Sequence, residues 1–392
     1  MRLSLKLSRV KPSATLAINA KAQEMKAAGK PVVSLAVGEP DFPTPDHIKD
    51  AAKAALDANF TRYTAVPGIP ELRDAVGGYF GRFYGVTPPR EAVIVTNGGK
   101  QALYNLFTAL LNPGEEVLIP APYWVSYPDM TLLAGGVPVS VPTRVEDNFL
   151  ASVEALEKAR TPGTRILVLN SPSNPTGGCY SKKQLDAIVE WAIARNVFVI
   201  AEEIYDQLTY PPAERVSCIG WWEKRPEKVA VVNGVAKSFA MTGWRVGYCV
   251  AHPDLIKAQS KIQGQATSNV CSFAQKGALA ALTGSFDCVE TMRASFERRR
   301  DLAMKVVSTW PGVKCPTPGG AFYLFPDVSA LYTKAIPDSA AMCSRILEKA
   351  QVALVPGAAF GDDRCIRLSY AVDEKTLLAG LSAVGKALKE AR

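Results

Sequence analysis

The sequence is poor in residues on which several common kinds of site depend. Only two of its 392 residues are histidines, His47 and His252, and His252 comes just before Pro253 at an expected helix start. Zinc sites and histidine-based catalytic triads need such residues, so both are disfavoured. The eight cysteines are scattered singly, without a C-x-x-C pair. They are therefore expected to be buried, reduced thiols, as in a cytoplasmic protein.

Long apolar runs and nucleotide-binding motifs are also missing. No apolar stretch is long enough to span a bilayer, so no membrane association is expected. The beginning, MRLSLKLSRVKPS, interrupts its leucines with Lys6 and Arg9 and lacks the apolar core of a signal peptide. The spacing G-x-x-x-x-G-K-S/T does not occur, which disfavours nucleotide binding by a P-loop. There is no internal repeat or linker that would indicate an added module.

Positive charge is in modest excess, with 45 Lys and Arg against 37 Asp and Glu and a net charge of +8. The basic residues are spread along the chain, and the densest run, Arg298 to Arg300, lies in a helical pattern. We expect that run to form a solvated helix face. The surplus charge predicts mild attraction for small anionic molecules and not a nucleic-acid partner.

Strand and helix patterns alternate along most of the chain, which is long enough for a large core and two domains. An early helix is predicted at 13–28 and a short strand at 32–37. Further helices are predicted at 46–58, 70–84, 182–195, 286–310 and 339–350, and strands at 92–96, 116–120, 137–141, 165–170, 197–202, 228–232 and 246–250. This alternation predicts an α/β fold with a mostly parallel sheet covered on both faces. Ligands collect at strand ends in such sheets, so the polar loops after the strands are the candidate site.

The motif NGVAKSFAMTGWRVGY at 233–248 follows a predicted strand and places Lys237 and Arg245 eight positions apart. A loop lysine is most often simply solvated. In the functional interpretation, Lys237 is an activated amine that forms a Schiff base, and Arg245 binds an anionic cofactor group.

A second motif, NGGKQALYNLFTALL, joins a strand to an amphipathic helix through a tight turn. Gly98 and Gly99 bring free amide N–H groups at the helix start within reach of a phosphate. Lys100 lies in the first helical turn, where a lysine is unfavourable against the helix dipole unless it faces an anion.

In combination, and above all in the run MTGWR, these motifs resemble the class I aminotransferases that depend on pyridoxal phosphate. Further motifs of the family occur in the same order over nearly the whole chain, and the likeness is greatest to bacterial aspartate aminotransferases of the branch that uses a lysine for the distal carboxylate. The resemblance implies fold type I. It also implies a large cofactor-binding domain at 46–285 and a smaller α/β domain formed by 1–45 and 286–392.

The resemblance implies a set of cofactor contacts. Lys237 carries pyridoxal 5'-phosphate, and Arg245 holds its phosphate. Trp124, in APYW, stacks on the pyridine ring, although a core tryptophan is an equal alternative from the sequence alone. Asn174, in NSPSNPTGG, hydrogen-bonds the phenolic oxygen of the cofactor. Tyr63, in TRYTAVPG, reaches across a homodimer interface to the partner's cofactor phosphate, so that two active sites are shared.

The stretch AEEIYDQL departs from the family pattern S-D-E-I-Y. Tyr205 matches the family tyrosine that touches the phenolic oxygen, but Glu202 stands in place of the aspartate that pairs with the pyridinium nitrogen, and Ala201 in place of the serine. Glutamate keeps the charge and adds a methylene. Glu202 is therefore expected to do the same work with a slightly displaced backbone.

Other residues are implied to bind substrate. Arg367, in CIRLSY, matches the arginine that grips the α-carboxylate, where its planar fork suits a carboxylate, although a surface arginine is an alternative. Gly38, in GEPDF, lies close to the same carboxylate, and Lys100 binds the side-chain carboxylate of aspartate or glutamate. Lys100, Trp124 and Asn174 are expected to contact both cofactor and substrate. Gly264 falls where close relatives place a serine near the distal carboxylate, which weakens the expectation of a dicarboxylate substrate.

The expected reaction is transfer of the amino group of L-aspartate to 2-oxoglutarate by a ping-pong mechanism, with Lys237 as general base. A prephenate or aromatic amino-acid aminotransferase and a lyase or synthase using the same cofactor are alternatives. So is a pyridoxal-binding regulator, but such regulators carry an added DNA-binding domain, and the motifs here begin by Ser34. Amino acids and 2-oxo acids are the expected small-molecule partners, without a metal.

Overall fold

The computed structural model of the protein describes residues 1, 4–10 and 14–390. Within them, the α-helices are α1 (Ala14–Ala27), α2 (Asp46–Asp57), α3 (Pro70–Tyr84), α4 (Gly99–Leu110), α5 (Ser126–Leu133), α6 (Val153–Ala159), α7 (Lys182–Ala194), α8 (Ile219–Lys224), α9 (Pro253–Ala266), α10 (Ser272–Thr283), α11 (Asp287–Val307), α12 (Ser339–Ala350) and α13 (Glu374–Lys389). Short 3-10 segments lie at Leu5–Arg9, Arg90–Ala92, Val145–Asp147, Thr242–Trp244, Ser329–Leu331 and Gly357–Phe360. None of the described helices is long and apolar enough to cross a membrane.

The strands form one large sheet and two small ones. They are β1 (Val33–Ser34), β2 (Val93–Thr96), β3 (Glu116–Ala121), β4 (Val137–Pro142), β5 (Thr164–Asn170), β6 (Phe198–Glu202), β7 (Val229–Gly234), β8 (Gly247–Val250), β9 (Tyr323–Leu324), β10 (Val352–Ala353), β11 (Val355–Pro356) and β12 (Ile366–Ser369). The large sheet has the order β2-β8-β7-β6-β5-β3-β4, and the small sheets are β1-β10 and β11-β12-β9.

The large sheet is parallel except at β8, which runs antiparallel to both β2 and β7. Strands β2, β6, β7 and β8 are buried along their whole length, as expected for strands covered by helices on both faces. The predicted α/β class and mostly parallel sheet are confirmed. The carboxyl ends of β5, β6 and β7 therefore meet at one edge, where ligand sites of such sheets form.

The reversal at β8 shapes the connection that leads into it. Strands β7 and β8 pair from Val231 with Val250 to Gly234 with Gly247, and residues 235–246 join their ends. Because the chain returns beside the strand it has just left, Lys237 and Arg245 lie on one short connection at the sheet edge.

Most predicted element boundaries agree with the structure to within a few residues, because local capping signals fix them. Helix α3 begins with Pro70 at its first turn and ends at Gly85 in a left-handed conformation, and Ser181 forms a capping box with Gln184 at the start of α7. The predicted strand at 32–37 is too long, because only β1 pairs in a sheet before the chain turns away towards Gly38.

The smaller sheets draw their strands from both ends of the chain. Strand β1 pairs with β10, and β12 lies between β9 and β11, while α11, α12 and α13 pack against one another beside them. One large cluster of buried side chains belongs to this part and others lie on the large sheet. We propose that the domain division is the one expected from the sequence, 46–285 against 1–45 with 286–392.

The prediction that Arg298 to Arg300 form a solvated helix face is wrong. Only Arg298 is exposed, whereas Arg299 and Arg300 are 8% and 6% exposed. The Nη1 atom of Arg299 donates to Oδ1 of Asp41 over 2.7 Å, and the Arg300 guanidinium lies 5.0 Å from the ring centroid of Tyr210. Helix α11 is covered on this side by segments distant in sequence, which a helical pattern does not reveal.

The expectation that the cysteines are buried holds only in part. All eight are free, and four, Cys218, Cys249, Cys343 and Cys365, are buried, but Cys271 is exposed at the start of α10. Its neighbour Val270 is buried, so the polypeptide turns Cys271 outward as the helix begins.

Candidate active site

A cavity of about 470 Å³ opens at the carboxyl edge of the large sheet, against β9 and β12 of the small one. All of the predicted site residues except Tyr63 line it. The lining comprises Gly38, Gly98, Gly99, Lys100, Trp124, Val125, Ser126, Asn174, Glu202, Ile204, Tyr205, Ala236, Lys237, Thr242, Arg245, Tyr323 and Arg367.

Lys237 lies on the connection between β7 and β8 and is half-buried. Its Nζ atom donates to the carbonyl oxygen of Gly38 over 2.6 Å. Burial lowers the pKa of the Lys237 amine to about 8, with the charge of Glu39 opposing this shift and that of Arg367 adding to it. A neutral, nucleophilic amine is therefore far more accessible here than on a solvated lysine.

Arg245 and the first turn of α4 form one corner of the cavity. The Nη1 atom of Arg245 donates to the carbonyl oxygen of Thr242 over 2.9 Å. Gly98 has φ +79°, and a Cβ there would come within 2.5 Å of Nη2 of Arg245, so only glycine permits this approach. The amide of Gly98 donates to the carbonyl oxygen of Thr96 over 2.7 Å, so the expectation that it is free is wrong, whereas the first amides of α4, which begins at Gly99, have no carbonyl partner of a preceding helical turn. Together, these donors and the guanidinium suit a phosphate.

Glu202 ends β6 and is buried, with 6% of its surface exposed. Its Oε2 atom accepts a hydrogen bond from the hydroxyl of Tyr127. Burial raises the pKa of the Glu202 carboxyl to about 7, while the bond from Tyr127 and the charges of Lys237 and Lys100 lower it. At neutral pH the Glu202 carboxyl is therefore partly protonated, and small changes in the neighbouring charges and hydrogen bonds shift the ionised fraction.

Arg367, on β12, is 2% exposed and packs over the Tyr323 ring, with 4.6 Å between guanidinium carbon and centroid. Its Nη1 atom donates to Oδ1 of Asn174 over 3.0 Å and Nη2 to the carbonyl oxygen of Ala36 over 2.7 Å. Its buried Nε atom has no partner among the residues described. The Tyr323 and Tyr205 hydroxyls are 2.9 Å apart.

Lys100 is exposed at the mouth of the cavity, and its ammonium lies 4.8 Å from the centroid of the Trp124 ring. The atoms around the ammonium remove enough water to lower the pKa of Lys100, and the charge of Arg245 acts in the same direction. An anion bound beside Lys100 would therefore stabilise its charged form and raise its pKa again.

Tyr63 is the predicted site residue that the chain does not bring into the cavity. It is 91% exposed, and no described residue of the same chain covers it. The sequence interpretation also missed Tyr127, Tyr323 and Thr242, which contact predicted site residues. Nothing in the sequence distinguishes them from ordinary core or loop side chains, although Tyr127 follows Trp124 by three positions in a helical pattern.

The charges that line the cavity do not balance. Lys100, Lys237, Arg245 and Arg367 face it, and Glu202 is the carboxylate among the lining residues. None of the four cations forms an ion pair with any residue in the described ranges 1, 4–10 and 14–390, where other arginines and lysines form nineteen and His252 forms one more with Asp254. Arg367 is buried and Lys237 half-buried, and a cation withdrawn from water is costly without an anion, so the cavity suits an anionic occupant.

Comparison with known proteins agrees with this architecture. A family model described as aminotransferase class I and II matches residues 30–384. The chain belongs to the class I and II aminotransferase family. The expected fold type I follows, since solved aminotransferases share the fold over nearly the whole chain.

Three relatives of this aminotransferase illustrate the likeness. An aspartate aminotransferase of Streptomyces avermitilis is 46% identical over 100% of this chain and 97% of that protein. An aspartate/prephenate aminotransferase of Cereibacter sphaeroides is 47% identical over 96% of each. The structure of the aspartate aminotransferase from Thermus thermophilus with maleate has a TM-score of 0.93 and 43% identity, covering 99% of this chain and 100% of that one.

As a member of this family, the aminotransferase depends on pyridoxal 5'-phosphate. The cavity fits the parts of that molecule. The corner formed by Gly98 and Arg245 suits its phosphate, the amine of Lys237 suits its aldehyde, and the buried carboxyl of Glu202 suits its ring nitrogen. The unpartnered Nε atom of Arg367 remains for a further acceptor, as a carboxylate substrate would supply.

Proposed function

We propose that this aminotransferase transfers the amino group of L-aspartate to 2-oxoglutarate by a ping-pong mechanism, in which the first oxo acid leaves before the second binds. The observation that carries the proposal is the charge of the cavity: Lys100, Lys237, Arg245 and Arg367 face it against Glu202. A phosphate and the two carboxylates of a dicarboxylate substrate supply the missing negative charge.

The cofactor is held by residues from several elements. Lys237 binds it covalently, and Arg245 binds its phosphate together with the amide of Gly99, next to Gly98 at the start of α4. When bound, pyridoxal phosphate supplies an electron-withdrawing ring that accepts the electrons of the broken Cα–H bond. Trp124 packs on the face of that ring and limits its orientation.

Lys237 moves the proton of the reaction. Freed from the cofactor by the incoming amino acid, its amine takes the proton from Cα as a general base and returns it to the neighbouring carbon. The pKa of about 8 brings the amine close to the working pH, where a base of moderate strength is most effective. The carbonyl oxygen of Gly38, 2.6 Å from Nζ, orients the amine between turnovers.

Glu202 holds a proton on the ring nitrogen through its negative charge, as the aspartate of the family pattern does. Tyr205 and Asn174 hydrogen-bond the phenolic oxygen. Asn174 also accepts from Nη1 of Arg367 over 3.0 Å, so one amide connects the cofactor side of the cavity with the substrate side.

The substrate is recognised at both of its carboxylates. Arg367 binds the α-carboxylate through its fork, close to Gly38, and Lys100 binds the distal one at the mouth of the cavity. Support comes from the relatives: the Streptomyces avermitilis protein is named an aspartate aminotransferase, and the Thermus thermophilus structure contains maleate, a dicarboxylate.

An aromatic or prephenate substrate is the second candidate. Trp124 lies beside Lys100 and offers an apolar surface to an aromatic side chain, with 4.8 Å between the ammonium and the ring centroid. The Cereibacter sphaeroides relative is named for both aspartate and prephenate.

The assembly is a homodimer that shares its two sites, and its location is the cytoplasm. Tyr63 is 91% exposed in the single chain, as is expected of a residue that reaches a partner's cofactor phosphate. All eight cysteines are free, which suits a reducing compartment.

The deciding experiment mixes the cofactor-loaded protein with L-aspartate alone and follows the cofactor absorbance while oxaloacetate is assayed. We expect the absorbance to change with release of one oxaloacetate per site, and 2-oxoglutarate to restore it. L-phenylalanine serves as the comparison donor. If L-aspartate leaves the spectrum unchanged and L-phenylalanine changes it, the aromatic candidate replaces the dicarboxylate. Release of ammonia without stored amino groups would indicate a lyase and overturn transamination.

A further inference from the structure

The carboxylate at the end of β6 has one methylene more than the family pattern provides. Glu202 has an additional rotatable bond compared with aspartate, so its two oxygens can point in more directions. A displacement of about 1 Å at a reacting group can cost on the order of a hundredfold in rate. The chain therefore needs a contact that selects one direction.

The contact comes from Tyr127 on α5. Its hydroxyl donates to Oε2 of Glu202, and the two side chains are 1% and 6% exposed. The other oxygen, Oε1, accepts no hydrogen bond from the part of the chain that the structure describes, and a Cβ on Gly99 would lie 3.9 Å from it. One oxygen is thus fixed, and the other is left on the cavity side.

Tyr127 is itself held in place. Its ring packs edge-on against Trp124, with centroids 5.5 Å apart at 84°, and its side chain lies in the buried cluster of α4 and α5. The turn that carries Trp124 to the face of the cofactor therefore also sets where the hydroxyl meets Glu202. Trp124 and Tyr127, three positions apart in one segment, therefore position the cofactor ring and the Glu202 carboxylate, respectively.

The same hydroxyl acts on the charge of the carboxylate. Burial raises the pKa of Glu202 to about 7, and the hydrogen bond from Tyr127 is the first of the contacts that lower it, followed by Lys237 and Lys100. Without this bond a larger fraction of the carboxyl would keep its proton at neutral pH. A protonated carboxyl cannot hold a proton on a neighbouring ring nitrogen.

We propose that Tyr127 is a positioning residue whose hydroxyl fixes the direction of the Glu202 carboxylate, so that glutamate serves where the family pattern has aspartate. The inference rests on the proposed role of Glu202 beside the ring nitrogen. Tyr127 does not line the cavity, and its hydroxyl acts through Glu202.

The test is Tyr127→Phe, which removes one hydroxyl and keeps the ring. Tyr180→Phe is the matched control, since Tyr180 is 4% exposed and its hydroxyl accepts from the amide of Ala151 over 3.0 Å, away from Glu202. The first readout is the nitrogen NMR signal of ring-labelled cofactor, titrated with pH in the absence of substrate. We expect the ring-nitrogen pKa to fall by about one unit in Tyr127→Phe and to stay in place in Tyr180→Phe.

The second readout is the rate of the half-reaction with L-aspartate in two backgrounds. With Glu202 present, Tyr127→Phe is expected to lower the rate by about tenfold to a hundredfold. In a Glu202→Asp background the shorter carboxylate no longer reaches the hydroxyl, so the same change is expected to cost less than about twofold. An equal loss in both backgrounds, or an unmoved ring-nitrogen pKa, would overturn the proposal.

Failure of the proposed function is distinguishable from failure of this inference. If the wild-type protein does not react with L-aspartate, the substrate proposal fails, while the substrate-free titration still tests Tyr127 against Glu202. Thermal unfolding of both tyrosine variants checks that each is folded.

Discussion

Two groups of cations in this protein are withdrawn from water, and they differ in what faces them. On α11, Arg299 meets Asp41 over 2.7 Å, and Arg300 meets Asp301 over 2.8 Å. In the cavity, Lys237 and Arg367 have only neutral hydrogen-bond acceptors within the described chain, the carbonyl oxygens of Gly38 and Ala36 and the amide of Asn174.

The difference separates support of the fold from binding. A buried charge is costly unless an opposite charge compensates it. Where the chain provides the carboxylate, the cation supports the fold, and Arg299 on α11 joins two distant segments through Asp41. Where the chain provides none, the compensating anion is expected to come from a ligand. Removing a cavity cation should therefore lower activity more than stability. Removing a cation of α11 that is paired with a carboxylate should lower stability more than activity.

The largest effect is expected from Lys237→Met, which keeps an unbranched apolar side chain and removes the amine. The half-reaction with L-aspartate should slow by at least about 10⁴-fold, since the general base and the covalent link are both lost. Thermal unfolding of the cofactor-free protein should occur at the same temperature or a higher one, because no ion pair is broken. A lowered unfolding temperature would contradict the comparison.

The second prediction sets Arg367→Met against Arg299→Met. The first change should lower kcat/KM for L-aspartate by about 10²–10³-fold through loss of the carboxylate fork, with little change in unfolding temperature. The second leaves Asp41 without its partner and should lower the free energy of unfolding by about 1–3 kcal/mol. Its loss in kcat/KM should be much the smaller of the two. Denaturant unfolding and steady-state kinetics on both variants provide the check.

Lys100→Met sharpens the comparison at the mouth of the cavity. We expect kcat/KM for L-aspartate to fall about tenfold to a hundredfold, as for loss of a charged hydrogen bond, while that for L-phenylalanine stays constant or rises. The ratio of the two values is the measurement. Equal losses for both donors would show that Lys100 serves the cofactor and not the distal carboxylate.

The smallest effect is a shift along the pH axis. Burial lowers the pKa of Lys237 from 10.5 to about 8, so half of the amine is neutral at about pH 8 and nearly all of it about one to two pH units higher. The rate of cofactor loading into the cofactor-free protein should therefore rise with pH, with a midpoint near 8, and level off about one to two units above it. Glu39→Gln removes a charge that raises this pKa and should move the midpoint to lower pH. A rate still rising at pH 10 would contradict the expected burial.

Much of the fold and site could be predicted because the informative residues are local. Lys237, Asn174 and Trp124 follow strands directly, and strand ends of a parallel sheet converge on one edge whatever the remaining contacts are. Capping residues fixed the helix ends in the same local manner. The assignment of individual roles to these side chains stays a prediction.

What the sequence could not reveal depends on contacts between distant segments. Arg299 meets Asp41 across 258 positions, so its helix pattern alone suggested a solvated face. Tyr127 and Glu202 are 75 positions apart, and neither lies in a sequence motif that would indicate contact with the other. The predicted strand at 32–37 is shortened because its pairing partner is β10, more than 300 residues on.

The reversal of β8 has a consequence for how this chain could be cut and rejoined. Residues 235–246 carry both the lysine and the arginine proposed to hold the cofactor, on a single loop between paired strands. New termini placed in any other surface loop would leave that pair intact as one unit. New termini between Lys237 and Arg245 would place these two residues at opposite ends of the chain. The distance between them would then be set by the pairing of β7 with β8 and no longer by the loop.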